Sequence, residues 1–141
     1  MPKDLFAQAS ISIAAPAAKV WAALVNPKLI RQYWFGTTVT SDWKEGSPIT
    51  WKGEWKGKAY EDRGRILKVE PQRLLQFSHY SALMGPDTPE NHHTVTVELS
   101  AEGRSTRVSL LQDNNANEEA RKHSEQNWKM MLESLKKLLE K

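Results

Sequence analysis

The sequence predicts an α+β fold: a curved antiparallel sheet of about six or seven strands packed around one long C-terminal helix, with two short helices after the first strand. Three observations predict it. From about Asn117 to Glu140, the residues Ala120, Ser124, Trp128, Met131, Leu132, Leu135, Leu138 and Leu139 fall on one helical arc of roughly 120°, and the remaining faces are charged. Between residues 49 and 112, apolar and polar residues alternate around tight turns that contain glycine or proline. Pro16 and Pro27 each open a short stretch with apolar residues at helical spacing. The long helix cannot be stable alone in water, so the rest of the chain must supply an apolar surface of matching length.

Leu5 to Ile13 reads as the first strand, with Leu5 or Phe6, Ile11 and Ile13 separated by Ser10 and Ser12, and Ala14-Ala15-Pro16 ends it. Pro16 suits the first turn of a helix whose apolar face is Val20, Trp21 and Leu24 and which stops at Asn26-Pro27. Pro27 starts a second helix in which Ile30, Tyr33 and Trp34 share a face, and Gly36 closes it. Everything downstream looks antiparallel, so this pair forms a helical elbow and not a βαβ crossover.

Ile49 to Trp55 alternates, and Lys56-Gly57 makes a two-residue turn. Pairing across that turn sets Trp55 against Lys58, Gly53 against Tyr60, Trp51 against Asp62 and Lys52 against Glu61, which gives one aromatic face and one ion-paired face. The next strand passes Gly64, Ile66 and Val69 to a turn at Pro71-Gln72. Carried through it, the register brings Phe77 beside Ile66 and His79 beside Gly64 on the aromatic face. Ser81 to Asn91 is a loop whose Leu83 and Met84 either cover a cavity mouth or pack on a strand edge.

His93, Val95, Val97 and Leu99 then alternate with Thr94, Thr96 and Glu98. A turn at Glu102-Gly103 would set Val97 against Val108, Val95 against Leu110, His93 against Gln112 and, on the outside, Glu98 against Arg107. On the final helix Asn117 is the expected N-cap, Glu118 and Glu119 complement the dipole, and Glu118/Lys122, Glu125/Lys129 and Glu133/Lys137 have the spacing of i,i+4 ion pairs.

The 141 residues, 39% apolar and 26% charged, suit one domain over 1–141. With no cysteine there is neither a disulfide framework nor a thiolate metal or redox site, and a cytoplasmic location is expected. Pro16 and Lys19 break the apolar run from Ile11 to Val25, so no signal peptide or membrane span is expected. The net charge is +3, but basic residues are interspersed with acids, which argues against a nucleic-acid partner. Six tryptophans fit either a lined groove or simply a bulky core.

Little in the sequence carries chemistry. The glycines sit in turns and strands, so there is no phosphate loop and no nucleophile elbow. His92 and His93 are adjacent on a strand and point to opposite faces, so no metal site and no cofactor is expected. Tyr60, Asp62, His79, His93 and Gln112 project from the otherwise apolar inner face, with Asp62 and His79 placed as a diagonal cross-strand pair. A carboxylate-oriented imidazole in a dry pocket can act as a general base, whereas polar groups at a cavity mouth commonly orient a ligand without chemistry. No residue is assigned a catalytic role. The ligand-binding candidates are Trp34, Trp51, Trp55, Tyr60, Asp62, Phe77, His79, His93, Val95, Val97, Leu110, Gln112, Trp128, Met131 and Leu135.

The element order resembles the helix-grip fold of the START-like (SRPBCC) superfamily. Several motifs are similar to the branch named after the activator of heat-shock-protein-90 ATPase. They are Ala15-Pro16 followed by Val20-Trp21 and Leu24, Asn26-Pro27 leading to Trp34, Gly64 with Ile66, Val69, Glu70-Pro71 and Leu74, the run from His93 to Leu99, and Trp128 with Leu132 and Leu135. The resemblance covers nearly the whole chain. It implies a hydrophobic or amphipathic small molecule held between sheet and helix, and it supplies no catalytic set. The eukaryotic activators carry an additional N-terminal domain not found in this sequence, so activation of the chaperone ATPase is not expected. Three functions follow: a non-catalytic binder of a hydrophobic or aromatic ligand, an enzyme resembling the superfamily's cyclases and dehydratases through Asp62 and His79, or a stress-linked chaperone-interaction module.

Overall fold

A computed structural model describes residues 5–34, 36–55, 57–81, 86, 88, 91–115 and 117–140, with Trp55 described in its backbone alone. The order is β1 (Ala7–Ile13), α1 (Ala17–Val25), α2 (Pro27–Tyr33), β2 (Thr38–Ser41), β3 (Pro48–Trp55), β4 (Lys58–Glu70), β5 (Leu74–Ser81), β6 (His92–Glu102), β7 (Ser105–Gln112) and α3 (Glu118–Leu139). The strands form one antiparallel sheet in the order β1-β7-β6-β5-β4-β3-β2. Strand β2 is the element that the sequence leaves unplaced; at four residues, with only Val39 buried, it has too little alternation to read.

Helix α3 packs along β1 and buries Met131, Leu132, Leu135 and Leu139. Each fully buried leucine contributes roughly 1.5–3 kcal/mol, which is why an otherwise charged helix docks at all. Asn117 caps it as expected, its side-chain oxygen accepting from the Ala120 N–H at 2.8 Å. Among the described residues, the charged pairs differ from those expected. The Arg121 guanidinium reaches both Glu118 and Glu125, and Lys136 pairs with Glu140, in place of the three Glu-to-Lys pairs.

The reason lies in the sheet. β1 is an edge strand, and α3 satisfies some of the backbone groups along and just past it. Glu125 Oε2 accepts from the Gln8 N–H at 3.0 Å, Glu140 Oε2 accepts from the Ala14 N–H at 2.7 Å, and Lys136 Nζ donates to the Ser12 carbonyl at 2.8 Å. Glu125, Lys136 and Glu140 thus serve the interface as well as their helical partners Arg121, Glu140 and Lys136.

The β3–β4 hairpin has the expected register, with Trp51 opposite Asp62, Gly53 opposite Tyr60 and Trp55 opposite Lys58; Lys56 of its turn lies outside the described residues. The β4–β5 hairpin reaches the expected pairing by a longer route. Its loop holds three residues and not two, since Glu70 faces Leu74, and Gln72 takes φ 65. A bulge between Ile66 and Lys68 then absorbs the extra residue, so Ile66 meets Phe77 as predicted. At Gly64 the backbones come so close that a Cβ would lie 1.8 Å from the Ser78 carbonyl oxygen, an approach only glycine permits.

The last hairpin is corrected by two residues. Its turn is Gly103-Arg104, with Gly103 at φ 64, and it places Val97 against Leu110, Val95 against Gln112 and Glu98 against Ser109. A two-residue turn with glycine first is one of the forms that match strand twist. A slip of two preserves side-chain parity, so every residue keeps its predicted face although its partner changes.

Candidate functional site

Four aromatic side chains from four elements meet between the sheet and the helices. Trp34 closes α2, Trp51 comes from β3, Phe77 from β5 and Trp128 from α3. Trp34 lies edge-on to Trp128 with centroids 5.6 Å apart and 6.5 Å from Trp51, and Trp51 lies 5.4 Å from Phe77. Offset and edge-to-face pairs of this kind add about 0.5–1.5 kcal/mol each beyond the area they bury. Together they occupy the interior: the enclosed apolar space they leave measures ≈ 30 Å³. That is room for a few waters at most, far short of the roughly 300 Å³ at which small-molecule sites begin. The tryptophans that suggested a lined space thus largely fill its innermost part.

Room exists one layer outward. A cleft of ≈ 510 Å³ opens between the N-terminal half of α3 and the inner face of β5 and β7. Its floor is Trp34, Phe77, Trp128 and Met131, the outer side of the same aromatic cluster. Polar side chains rim it: His79 and Gln112 from the sheet, His123, Ser124 and Asn127 from α3, with Met130 beside them. Clefts of ≈ 540 and ≈ 530 Å³ elsewhere contain no aromatic ring except that of His123, which makes this one the apolar site among depressions of similar size.

Behind the cleft runs a polar row of which His79 alone lines it, Asp62 and His93 lying deeper. His79 Nε2 lies 3.0 Å from Asp62 Oδ2, with the His79 side chain 25% exposed, so the expected diagonal pair forms on one face. The His79 ring meets Trp51 edge-on at 4.9 Å and stacks at 6.5 Å on His93, its partner across β5 and β6. His93 is 4% exposed, and its Nδ1–H donates to the Asp113 carbonyl at 2.9 Å. Burial holds the His93 imidazole below its ordinary pKa, against the opposing pull of that hydrogen bond. Asp62 Oδ1 and His93 Nε2 are buried without a protein partner. The Trp128 indole N–H donates to Gln112 Oε1, tying the helix to β7 across the cleft.

The structure thus gathers Trp34, Phe77, His79, Gln112, Trp128 and Met131 around the cleft and places Trp51, Val97 and Leu110 against the small inner space. Val95 and Leu135 are core residues, packed at neither. Tyr60 lies away from the row; its hydroxyl bonds Thr37 at 2.8 Å and its ring covers Gly53. The Trp55 side chain and the suggested lid residues Leu83 and Met84 lie outside the described residues. Sequence reasoning missed His123, Asn127 and Met130. The signal was there in Met130, a large apolar residue 54% exposed on a charged helix face and two positions from Trp128.

The family model for "Activator of Hsp90 ATPase homolog 1-like protein" matches residues 14–140. The chain belongs to this family. ChR145 from Cytophaga hutchinsonii, a solution structure, is 58% identical with a TM-score of 0.86, covering 99% of this chain and 97% of its own. The Aha1 dimer from Colwellia psychrerythraea is 21% identical at TM-score 0.74, covering 96% of each chain. CalU16 from Micromonospora echinospora is 23% identical at TM-score 0.73, covering 94% of this chain and 74% of that one. The two distant structures are alike in fold alone, and no curated protein matches the sequence. This family member therefore has the helix-grip fold, a curved seven-stranded antiparallel sheet against a C-terminal helix. Among its described residues no helix is long and apolar enough to cross a membrane, and no group of three or more His, Cys, Asp or Glu could hold a metal ion.

Proposed function

We propose that this chain binds a hydrophobic or aromatic small molecule, without transforming it, in the cleft between α3 and β5/β7. The observation that carries this reading is the pairing of an aromatic floor with a polar rim around ≈ 510 Å³. Small-molecule sites of about 300–1,000 Å³ share that arrangement, with apolar walls supplying affinity and a few polar groups supplying orientation. The ligand lies against Trp34 and Trp128, outside the filled aromatic core and not inside it. Such a domain, free of cysteine, suits the reducing cytoplasm.

Titration with naphthalene and with 1-decanol, followed by tryptophan fluorescence and by the Trp128 indole N–H resonance, tests the proposal. Saturable quenching with movement of that resonance is expected. Absence of saturable binding by either probe removes it.

The Asp62–His79 pair favours a second reading, because a carboxylate 3.0 Å from an imidazole beside an apolar cleft has the parts of a general base. Dehydration of an activated β-hydroxyketone, lost in His79→Gln, would support it. No turnover above the buffer rate would end it. A chaperone partner rests on the family description alone, and repeated failure to co-purify one would dismiss it.

A further inference from the structure

The bond that ties Trp128 to β7 also sets what the cleft can recognise. An indole N–H only donates, so the Gln112 amide must turn its oxygen to Trp128 and its two N–H bonds away from it. Gln112 is 8% exposed and lines the cleft together with Trp34 and Phe77. Among the described residues nothing accepts from its Nε2, yet that nitrogen is not sealed from solvent, so it opens on the cleft that the side chain lines. The other polar groups are set less deeply. His123 and Asn127 are exposed, and His79 and Ser124 are half-buried, so water competes for them. Gln112 is the deeply set one, and its oxygen is already taken.

We infer that the ligand carries an uncharged hydrogen-bond acceptor, a ketone, ester or amide carbonyl on an apolar or aromatic body, and that Gln112 Nε2 donates to it. A site that holds an oriented donor in an apolar wall rejects an analogue lacking the acceptor, because binding would cover that donor unpaired. Charge disfavours the stronger acceptor, a carboxylate. Among the described residues that line the cleft there is no Lys, Arg, Asp or Glu, and the Asp62 carboxylate stands just behind His79, so an anion would lose its water without gaining an ion pair. The inference rests on the cleft being the binding site.

Three probes of nearly one shape separate the two claims at pH 7.5: 2-isopropenylnaphthalene, 2-acetonaphthone and 2-naphthoate. The expected order has the ketone binding roughly threefold to tenfold tighter than the hydrocarbon, as one hydrogen bond to a buried donor allows, and 2-naphthoate weakest. In wild-type protein the Gln112 side-chain amide proton should lie further downfield with the ketone bound than with the hydrocarbon, whose ring currents are similar. In Gln112→Met, which keeps the bulk and removes the donor, the ketone-to-hydrocarbon preference should fall to about one or below. If that variant does not fold, the amide proton decides alone. Hydrocarbon binding as tight as the ketone in wild type, or 2-naphthoate binding tightest, overturns the acceptor rule and leaves the cleft standing. An unchanged preference in folded Gln112→Met, or one amide position with both saturating probes, overturns it too. If none of the three binds, the cleft itself fails, and this inference with it.

Discussion

At Gly64 a single hydrogen atom decides whether two strands can meet. A methyl group there would sit 1.8 Å from the Ser78 carbonyl oxygen, and backbone on the neighbouring strand has no rotamer by which to yield. Gly64→Ala should cost on the order of 3 kcal/mol or more, an overpacking penalty at the upper end of its range, and urea denaturation would measure it. His93 makes the second residue-scale prediction. Its folded pKa is lowered, chiefly by burial, while the unfolded ring titrates near its ordinary value of about 6.5. Below that value the unfolded chain binds more protons than the native one, so stability is full at pH 7.5 and falls as the pH drops below about 6.5. Denaturation midpoints at several pH values should show this fall, and His93→Leu should flatten it. The pairing of Asp62 with His79 was reached from the sequence because a longer loop and a bulge together restore the register that a two-residue turn predicts. The proton on His93 Nδ1 was not, since its partner is a backbone carbonyl just past the end of β7.

Elements record two kinds of information. Helix α3 was readable almost residue by residue, as the apolar stripe is local and the helical period is fixed by backbone geometry. Asn117→Ala should cost about 1 kcal/mol, because it orphans the Ala120 N–H, and thermal or urea unfolding would show it without a change of fold. The ion pairs along α3 were not readable. Glu125 and Glu140 turn to the edge of β1, a choice that spacing along the helix cannot reveal. Hairpins divide in the same way: faces follow from alternation, but registers depend on which residue of a turn takes positive φ. The β4–β5 pairing came out right because a longer loop and a bulge cancel, and the β6–β7 pairing came out two residues off because glycine stands first in its turn and not second.

For the molecule as a whole, aromatic volume is the deciding quantity. Trp128 separates the filled interior from the open cleft, touching Trp34 on one side and Gln112 on the other. Trp128→Ala should join the two spaces. Its cost should be somewhat below the 3–5 kcal/mol of a fully buried tryptophan, given its partial exposure, and the variant should admit anthracene where the wild type takes naphthalene. Urea denaturation and native mass spectrometry with both hydrocarbons would check the two effects. By itself the sequence determined the element order, the faces of the strands and the stripe of α3, because all three are periodic and the period belongs to the backbone. Only the tertiary structure decided where space remains. Free volume is the small difference between the size of the fold and the bulk of side chains from four separate elements, and no local pattern contains it.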